Sequence, residues 1–330
     1  MRPLRIFTWP VHGAYLQYLT ALSPHEFYLP VRPRRDGAYG GRGPTLALGD
    51  NVIEVAEDDV RRVDVDCVLF QSAEHYLHDQ YAILSEEQRR LPKIFLEHDP
   101  PRQHPTDTPH PVTDGNTLVV HVTRFNALMW ETRAPVRVIE HGVPDRGPLY
   151  TGEVARGIAA INNLRARGRR LGLDVFLDVR ECVPVDLVGM GSEEVGGVGE
   201  VPPALLPEFE SRYRFFFYPV RYTSLGLALC EAMMAAMPPV ALRTTEVADV
   251  IDHGVTGFAA LDAPKLVEAA CALLRDAGLA REIGARAREM ARERSGLERF
   301  TRDWNDAFAL VAGAKAAAPR PAAAAAGGGR

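Results

Sequence analysis

Cysteine is scarce in this chain. Four residues of 330 (Cys67, Cys182, Cys230, Cys271) lie far apart and mostly in apolar segments. That excludes a disulfide framework and fits buried free thiols in a reducing, cytoplasmic setting. Long hydrophobic runs are also missing. Without a stretch of roughly 20 apolar residues no helix is expected to span a membrane. The opening MRPLRIFTWPVHG reads as a first strand, with no secretory signal evident. Positive charge does not dominate: 38 Lys and Arg against 43 Asp and Glu leave a net −5, which speaks against general nucleic-acid affinity. What remains, 46% hydrophobic and 25% charged residues, is the make-up of one large or two ordinary globular domains.

The amino-terminal half repeats strand, turn and helix. Leu4 to Trp9 is a short apolar run closed by Pro10, and Val11-His12-Gly13-Ala14-Tyr15 leads into a helical pattern through Leu19. This is the opening unit of a doubly wound sheet, with Gly13 on the side where the carboxyl ends of parallel strands place ligands. His12 is an acceptor-side candidate there, the alternative being a turn histidine with no role. Val31 to Pro44 has no period and is rich in Gly, Pro and Arg, so it reads as a mobile loop. Its Arg32, Arg34, Arg35 and Arg42 either receive a phosphorylated or lipid-linked acceptor or simply solvate the loop. Val52 to Val55 and Val65 to Phe70 read as strands. Asp64-Val65-Asp66 has the spacing of an Asp-x-Asp metal signature, but it sits at a strand entry alternating with apolar residues and is read as an exposed pair. A helical pattern from Glu74 to Leu91 precedes the strand Lys93 to Leu96. That strand ends in Glu97-His98-Asp99-Pro100-Pro101, a charged trio facing the crevice of an open sheet. His98 and Asp99 are the residues of interest there: the histidine is a candidate catalytic group unless it merely caps a proline turn, and Asp99 could orient that imidazole or bind ligand hydroxyls. His104 and His110 follow among prolines with no cysteine nearby, and no metal site is read from them. Leu118 to Val122 is a further strand and Arg124 to Trp130 a short helix.

Past a boundary near Gly147 to Glu153, Ile158 to Ile161 opens a second series. Asn163 and four arginines (Arg165, Arg167, Arg169, Arg170) lie between this strand and a helix from Leu171 to Glu181. Guanidinium forks suit phosphate oxygens, unless the run is merely solvated. Val185 to Gly191 is a strand ending in Gly189-Met190-Gly191, a turn that admits a ligand close to backbone. The glycine-rich acidic run to Glu200 has no specific reading. The most informative stretch is Tyr213 to Phe258. Tyr213 to Tyr218 is an aromatic strand; Thr223-Ser224 offers a hydroxyl cap to a helix from Leu225 to Met237; Pro238-Pro239 stops it, and Val240 to Leu242 is the next strand. The amides of Ser224, Leu225 and Gly226 stand at the positive end of that helix, an anion site. Glu231, about 10 Å further along the same face, suits ribose hydroxyls if it is not an ordinary surface glutamate.

SLGLALCEAMMAAMPPVAL and the later DVIDHGVTGF closely resemble the donor-site phrase of family 4-type nucleotide-sugar glycosyltransferases of the GT-B architecture. VRVIEHGV, residues 136–143, resembles their domain-crossing segment, with Glu140-His141 in place of Pro-Asn. The resemblance implies an α/β fold of two Rossmann-like domains facing a cleft. On this chain they are expected over residues 1–148 (acceptor side) and 149–298 (donor side). A crossover helix over 299–313 presents Phe300, Trp304 and Phe308 on one face, and 314–330 is a disordered low-complexity tail. The implied activity is a retaining, metal-independent transfer from a nucleotide diphosphate sugar to a glycan, lipid-linked or small-molecule acceptor, in polysaccharide or glycoconjugate synthesis. It implies no cofactor and no nucleic-acid partner, and a lipid-linked acceptor would bring peripheral membrane contact. Within the motif, Glu231 falls on the ribose position and Ser224, Leu225 and Gly226 on the phosphate position. One of Arg167, Arg169 and Arg170 falls on the diphosphate clamp, with Gly13, Asn163, Gly189 and Gly191 as backbone cradle. His98 falls on a histidine that approaches the donor sugar. The first glutamate of the motif pair, a sugar contact in the family, falls on Thr223. That departure keeps two other readings open, a non-catalytic nucleotide-sugar-binding protein and a sugar-nucleotide epimerase.

Overall fold

The computed structural model describes residues 2–43 and 47–317, with side chains through 313. Two all-parallel sheets organise the chain. The first contains β1 (Arg5–Thr8), β2 (Glu26–Val31), β3 (Val52–Ala56), β4 (Cys67–Phe70), β5 (Lys93–Glu97), β6 (Thr117–His121) and β7 (Val136–Val138), in the order β3-β2-β1-β4-β5-β6-β7. The second contains β8 (Val154–Ala160), β9 (Val185–Val188), β10 (Tyr213–Tyr218), β11 (Pro239–Leu242) and β12 (Phe258–Ala260), in the order β12-β11-β10-β8-β9. Their inner strands read as near-continuous apolar runs because helices cover both faces. Alternate residues serve opposite faces: Ile6, Leu69, Ile94 and Val120 enter one core, while Phe7, Phe70, Phe95 and Val119 enter the other.

The first of those cores is closed from far away in sequence. The helix Leu297–Ala317 leaves the second sheet and lays Phe300, Trp304 and Phe308 beside Tyr15, Leu16 and Leu19 of the helix Gly13–Ala21. The Trp304 indole N–H donates to the Tyr15 hydroxyl at 3.1 Å. Gly142 allows this crossing, since a Cβ there would lie 2.3 Å from Cβ of Phe300. The crossover helix extends four residues into the segment expected to be disordered; residues 318–330 lie outside the described part.

The two residues that depart from the crossing segment bolt the halves together. Glu140 accepts two hydrogen bonds from Arg294, at 2.9 and 2.8 Å, and Arg294 also reaches Glu246 at 3.0 Å. Glu246 is buried, and its second oxygen accepts the Phe125 amide from the first sheet's helices. Burial pushes His141 down to about 4, so its neutral ring donates through Nε2 to the Leu225 carbonyl at 2.8 Å.

Several local expectations change. The single helical pattern from Glu74 to Leu91 is a wide turn (His75–Asp79), a short helix (Gln80–Ile83) and, after a break, Glu86–Arg89. Ser85 ends the run by capping the last piece, accepting from the Gln88 amide while Gln88 reaches back. The first strand of the second sheet starts at Val154, ahead of the expected Ile158. Of the thiols, Cys67 and Cys230 are buried, but Cys182 is exposed at a helix end. Asp64 and Asp66 bind Arg2 and Arg5 at the amino end of β4, opposite the ligand-bearing edge. No described helix is long and apolar enough to cross a membrane.

Candidate active site

Because every strand is parallel, the carboxyl edges of the two sheets carry the loops, and these edges meet. On the first sheet, His12 precedes the helix Gly13–Ala21 in the left-handed region, φ 51. That aims its ring at His98, with ring centres 4.0 Å apart. Gly13 is the first residue of the helix. His98 leaves β5 with its Nε2 3.1 Å from the Gln71 side-chain oxygen. The Gln71 amide nitrogen donates to Thr8 and to the Trp9 carbonyl, so only its oxygen can face the ring. His98 therefore carries its proton on Nε2 and leaves Nδ1, without a partner among the described residues, as an acceptor. Burial, with His12 and His141 adding to it, holds His98 well below its ordinary value. His12 is lowered by burial too, against the pull of Asp99.

Of the two roles read for Asp99, orienting this imidazole falls to Gln71 instead. The Asp99 amide donates to Glu97 at 3.0 Å and its carbonyl accepts the Trp130 indole at 2.8 Å. Its carboxylate pairs with Arg102 and lies 3.3 Å from the Thr223 hydroxyl across the cleft.

On the second sheet, the loops after β8 and β9 are joined backbone to side chain. The Met190 amide donates to the Asn162 side-chain oxygen at 2.9 Å, and the Asn163 amide to the Met190 carbonyl at 2.6 Å. Gly189, at φ 125, is required there, because a Cβ would lie 2.6 Å from that Asn162 oxygen. Gly191 and Asn163 both take left-handed backbone in this turn. The arginines separate by partner. Arg165 bonds the Glu194 carbonyl. Arg169 is 2.5 Å from Asp174, which also binds Arg221, so Arg169 drops out of the expected clamp. Arg167 stays at the cleft, where burial and then Arg170 lower its pKa while Asp99 opposes them. Arg170 lends its carbonyl to the Arg221 and Tyr222 amides, positioning the loop that carries Thr223.

The motif helix spans Leu227–Met234, later than expected, because Gly226 is extended and donates its amide to the Tyr218 hydroxyl at 3.0 Å. Gly226 is thus not a free donor, nor does Thr223 or Ser224 cap the helix. Ser224 and Leu225 are buried beneath the turn. The outward amides of the first helical turn belong to Leu227 and Ala228.

Glu231 also departs from expectation. It accepts a hydrogen bond from Tyr18 of the first sheet's opening helix and borders a cavity of about 30 Å³ with Arg146, Leu149 and Pro207. Such a space holds water and no sugar ring. Burial raises Glu231 against the Tyr18 hydrogen bond, and burial plus Glu231 raises Glu210 well above the ordinary range. One of the two oxygens that ribose hydroxyls would need is thus taken by Tyr18 in this structure.

Arg35 is removed from the acceptor side by a two-pronged pair with Glu54, at 2.8 and 2.9 Å. Arg32 grips Glu57 and lies over Tyr39, and Arg42 bonds the Gly49 and Val52 carbonyls. These arginines hold their own loop at the outer edge of the sheet; Arg34 is exposed beside them. Sequence reasoning missed Gln71, Tyr18, Asn162 and Arg102. Gln71 had a usable signal, since it directly follows a buried strand just as His98 does; Tyr18 had none.

Residues 180–276 match the family model described as Glycosyl transferases group 1. N-acetyl-alpha-D-glucosaminyl L-malate synthase of Bacillus anthracis is 33% identical over 87 residues, which is 26% of this chain and 23% of that protein. The match thus spans about a quarter of the curated relative's length. Among solved structures, the sucrose-phosphate synthase of Thermosynechococcus elongatus superposes with a TM-score of 0.70 at 13% identity, covering 94% of this chain and 100% of that one. HepE of Anabaena, solved with UDP and glucose, gives 0.64 at 13% identity over 93% and 99%. The fold is the two-domain GT-B architecture of glycosyltransferases.

Proposed function

We propose, on the premise of a GT-B fold whose second sheet carries the group 1 match, that this protein transfers a glycosyl group from a nucleotide diphosphate sugar to an acceptor hydroxyl. The observation that carries the reading is the meeting, at one cleft, of Arg167, Arg170 and the first amides of the helix Leu227–Met234 with His12 and His98 from the other sheet. Cationic forks and a helix amino terminus gather the charge that develops as the diphosphate departs. The bond from the anomeric carbon to the β-phosphate oxygen breaks and one to the acceptor oxygen forms. The acceptor's proton passes to the departing phosphate, in a retaining transfer. The GT-B neighbour solved with UDP and glucose supports the donor class.

Titration with UDP, GDP, UDP-glucose, UDP-N-acetylglucosamine and GDP-mannose tests this. A ligand at 100 times its dissociation constant stabilises by about 2.7 kcal/mol, a clear upward shift in melting temperature. No shift with any of them overturns the proposal. Thr223, in place of the motif's first glutamate, favours a second reading, binding without transfer; a bound donor that never releases free nucleotide diphosphate on offering acceptors would select it.

A further inference from the structure

Resting on the donor reading above, we infer that Asp99 supplies, from the opposite sheet, the carboxylate that accepts hydrogen bonds from the donor's sugar hydroxyls beside position 223. A diphosphate held at Leu227, Ala228 and Arg167 places its sugar toward the facing sheet, past the loop Arg221–Leu225. The side chain offered by that loop is the short Thr223, whose one hydroxyl is not a charged acceptor. Facing it at 3.3 Å is Asp99 Oδ1.

Asp99 is built to hold this aim. Its amide is tied to Glu97 and its carbonyl to the Trp130 indole. Pro100 and Pro101 stiffen the chain beyond it, and the Pro101 carbonyl accepts the Tyr222 hydroxyl at 3.0 Å. Arg102 occupies Oδ2, while Oδ1 accepts the Thr223 hydroxyl and keeps its second lone pair for the cleft. Glu97 is not a competitor, because one of its oxygens takes the Asp99 amide and the other lies 3.4 Å from His110. A sugar hydroxyl donating to an ionised acceptor makes a stronger bond than one donating to a neutral one. The same geometry accounts for the threonine: a glutamate at 223 would set a second carboxylate against Asp99, and like charges at that separation are unfavourable. Sugar recognition then depends on both sheets.

The test compares calorimetric affinities of parent, Asp99→Asn, Thr223→Glu and the double variant. Each is titrated with UDP and UDP-glucose, UDP and UDP-N-acetylglucosamine, and GDP and GDP-mannose. For the pair that the parent binds, Asp99→Asn should lower nucleotide-sugar affinity about tenfold or more and leave the plain diphosphate unchanged or tighter. Thr223→Glu alone should weaken both. The double variant, with one carboxylate moved across the cleft, should recover most of the nucleotide-sugar affinity. Parent-like nucleotide-sugar binding by Asp99→Asn overturns the inference while the donor reading stands. A parent that binds none of the diphosphates sinks the donor reading and this inference with it.

Discussion

Three arginines within four residues look interchangeable as phosphate ligands, and the structure separates them. Arg169 is 76% exposed and already satisfied by Asp174. Among the described residues Arg167 has no carboxylate in ion-pair contact; it stands at the cleft with Arg170 beside it and Asp99 within electrostatic reach. A hydrogen bond to a charged partner contributes roughly 1.5–3 kcal/mol, about ten- to 150-fold in affinity. Because Arg167 keeps solvent contact, the lower part of that range applies, about ten- to thirtyfold. Arg167→Ala should therefore weaken UDP or GDP, whichever the parent binds, by that factor. Arg169→Ala should stay within about twofold, since Arg221 still holds Asp174. Isothermal titration at two salt concentrations reads both variants, and only Arg167→Ala should flatten the salt dependence. Equal losses in the two variants would refute the assignment, because they would mean that the Asp174 pair opens to receive phosphate.

The buried acid pair makes stability depend on pH. Burial raises the Glu210 carboxyl, so the folded chain keeps a proton that the unfolded chain releases above roughly pH 4.3. Stability must then fall as pH rises from there towards the folded value, by up to about 1.4 kcal/mol per pH unit. Glu210→Gln should remove that slope, leaving the smaller share of Glu231, and urea midpoints at pH 5, 6 and 7 that run parallel to the parent's would contradict it. Trp304→Ala should destabilise by about 3–5 kcal/mol, because it empties the first core and strands the Tyr15 hydroxyl. Chemical denaturation measures the loss, and one below about 1 kcal/mol would show that the crossover helix is an accessory.

Much of the architecture was legible because it is written in local periodicity. Buried parallel strands such as Cys67–Phe70 and Thr117–His121 show as unbroken apolar runs, and Phe300, Trp304 and Phe308 show as one helical stripe. The placement of His12, His98, Arg167 and the Gly189 turn at one edge was legible for a related reason: each follows a strand, and parallel topology sends strand ends to one edge. Partners across the fold were not. Arg35 reads as an available cation until Glu54 of β3 appears beside it, and the Asp174 that holds Arg169 is itself fixed by Arg221, 47 residues away. Gly226 read as an open amide until the Tyr218 hydroxyl, eight residues back, turned out to face it.

The order of residues alone determined the strands, the apolar stripe of the last helix and which strand ends bear chemistry, since strand and helix periods are properties of neighbouring residues. The pairing of two domains and the crossing of that helix came from the resemblance. Only the packed chain decided which charges are free. An ion pair such as Arg294–Glu140, 154 residues apart, and a contact such as Tyr18–Glu231, 213 residues apart, exist because two surfaces are brought within about 3 Å, a distance set by every layer between them.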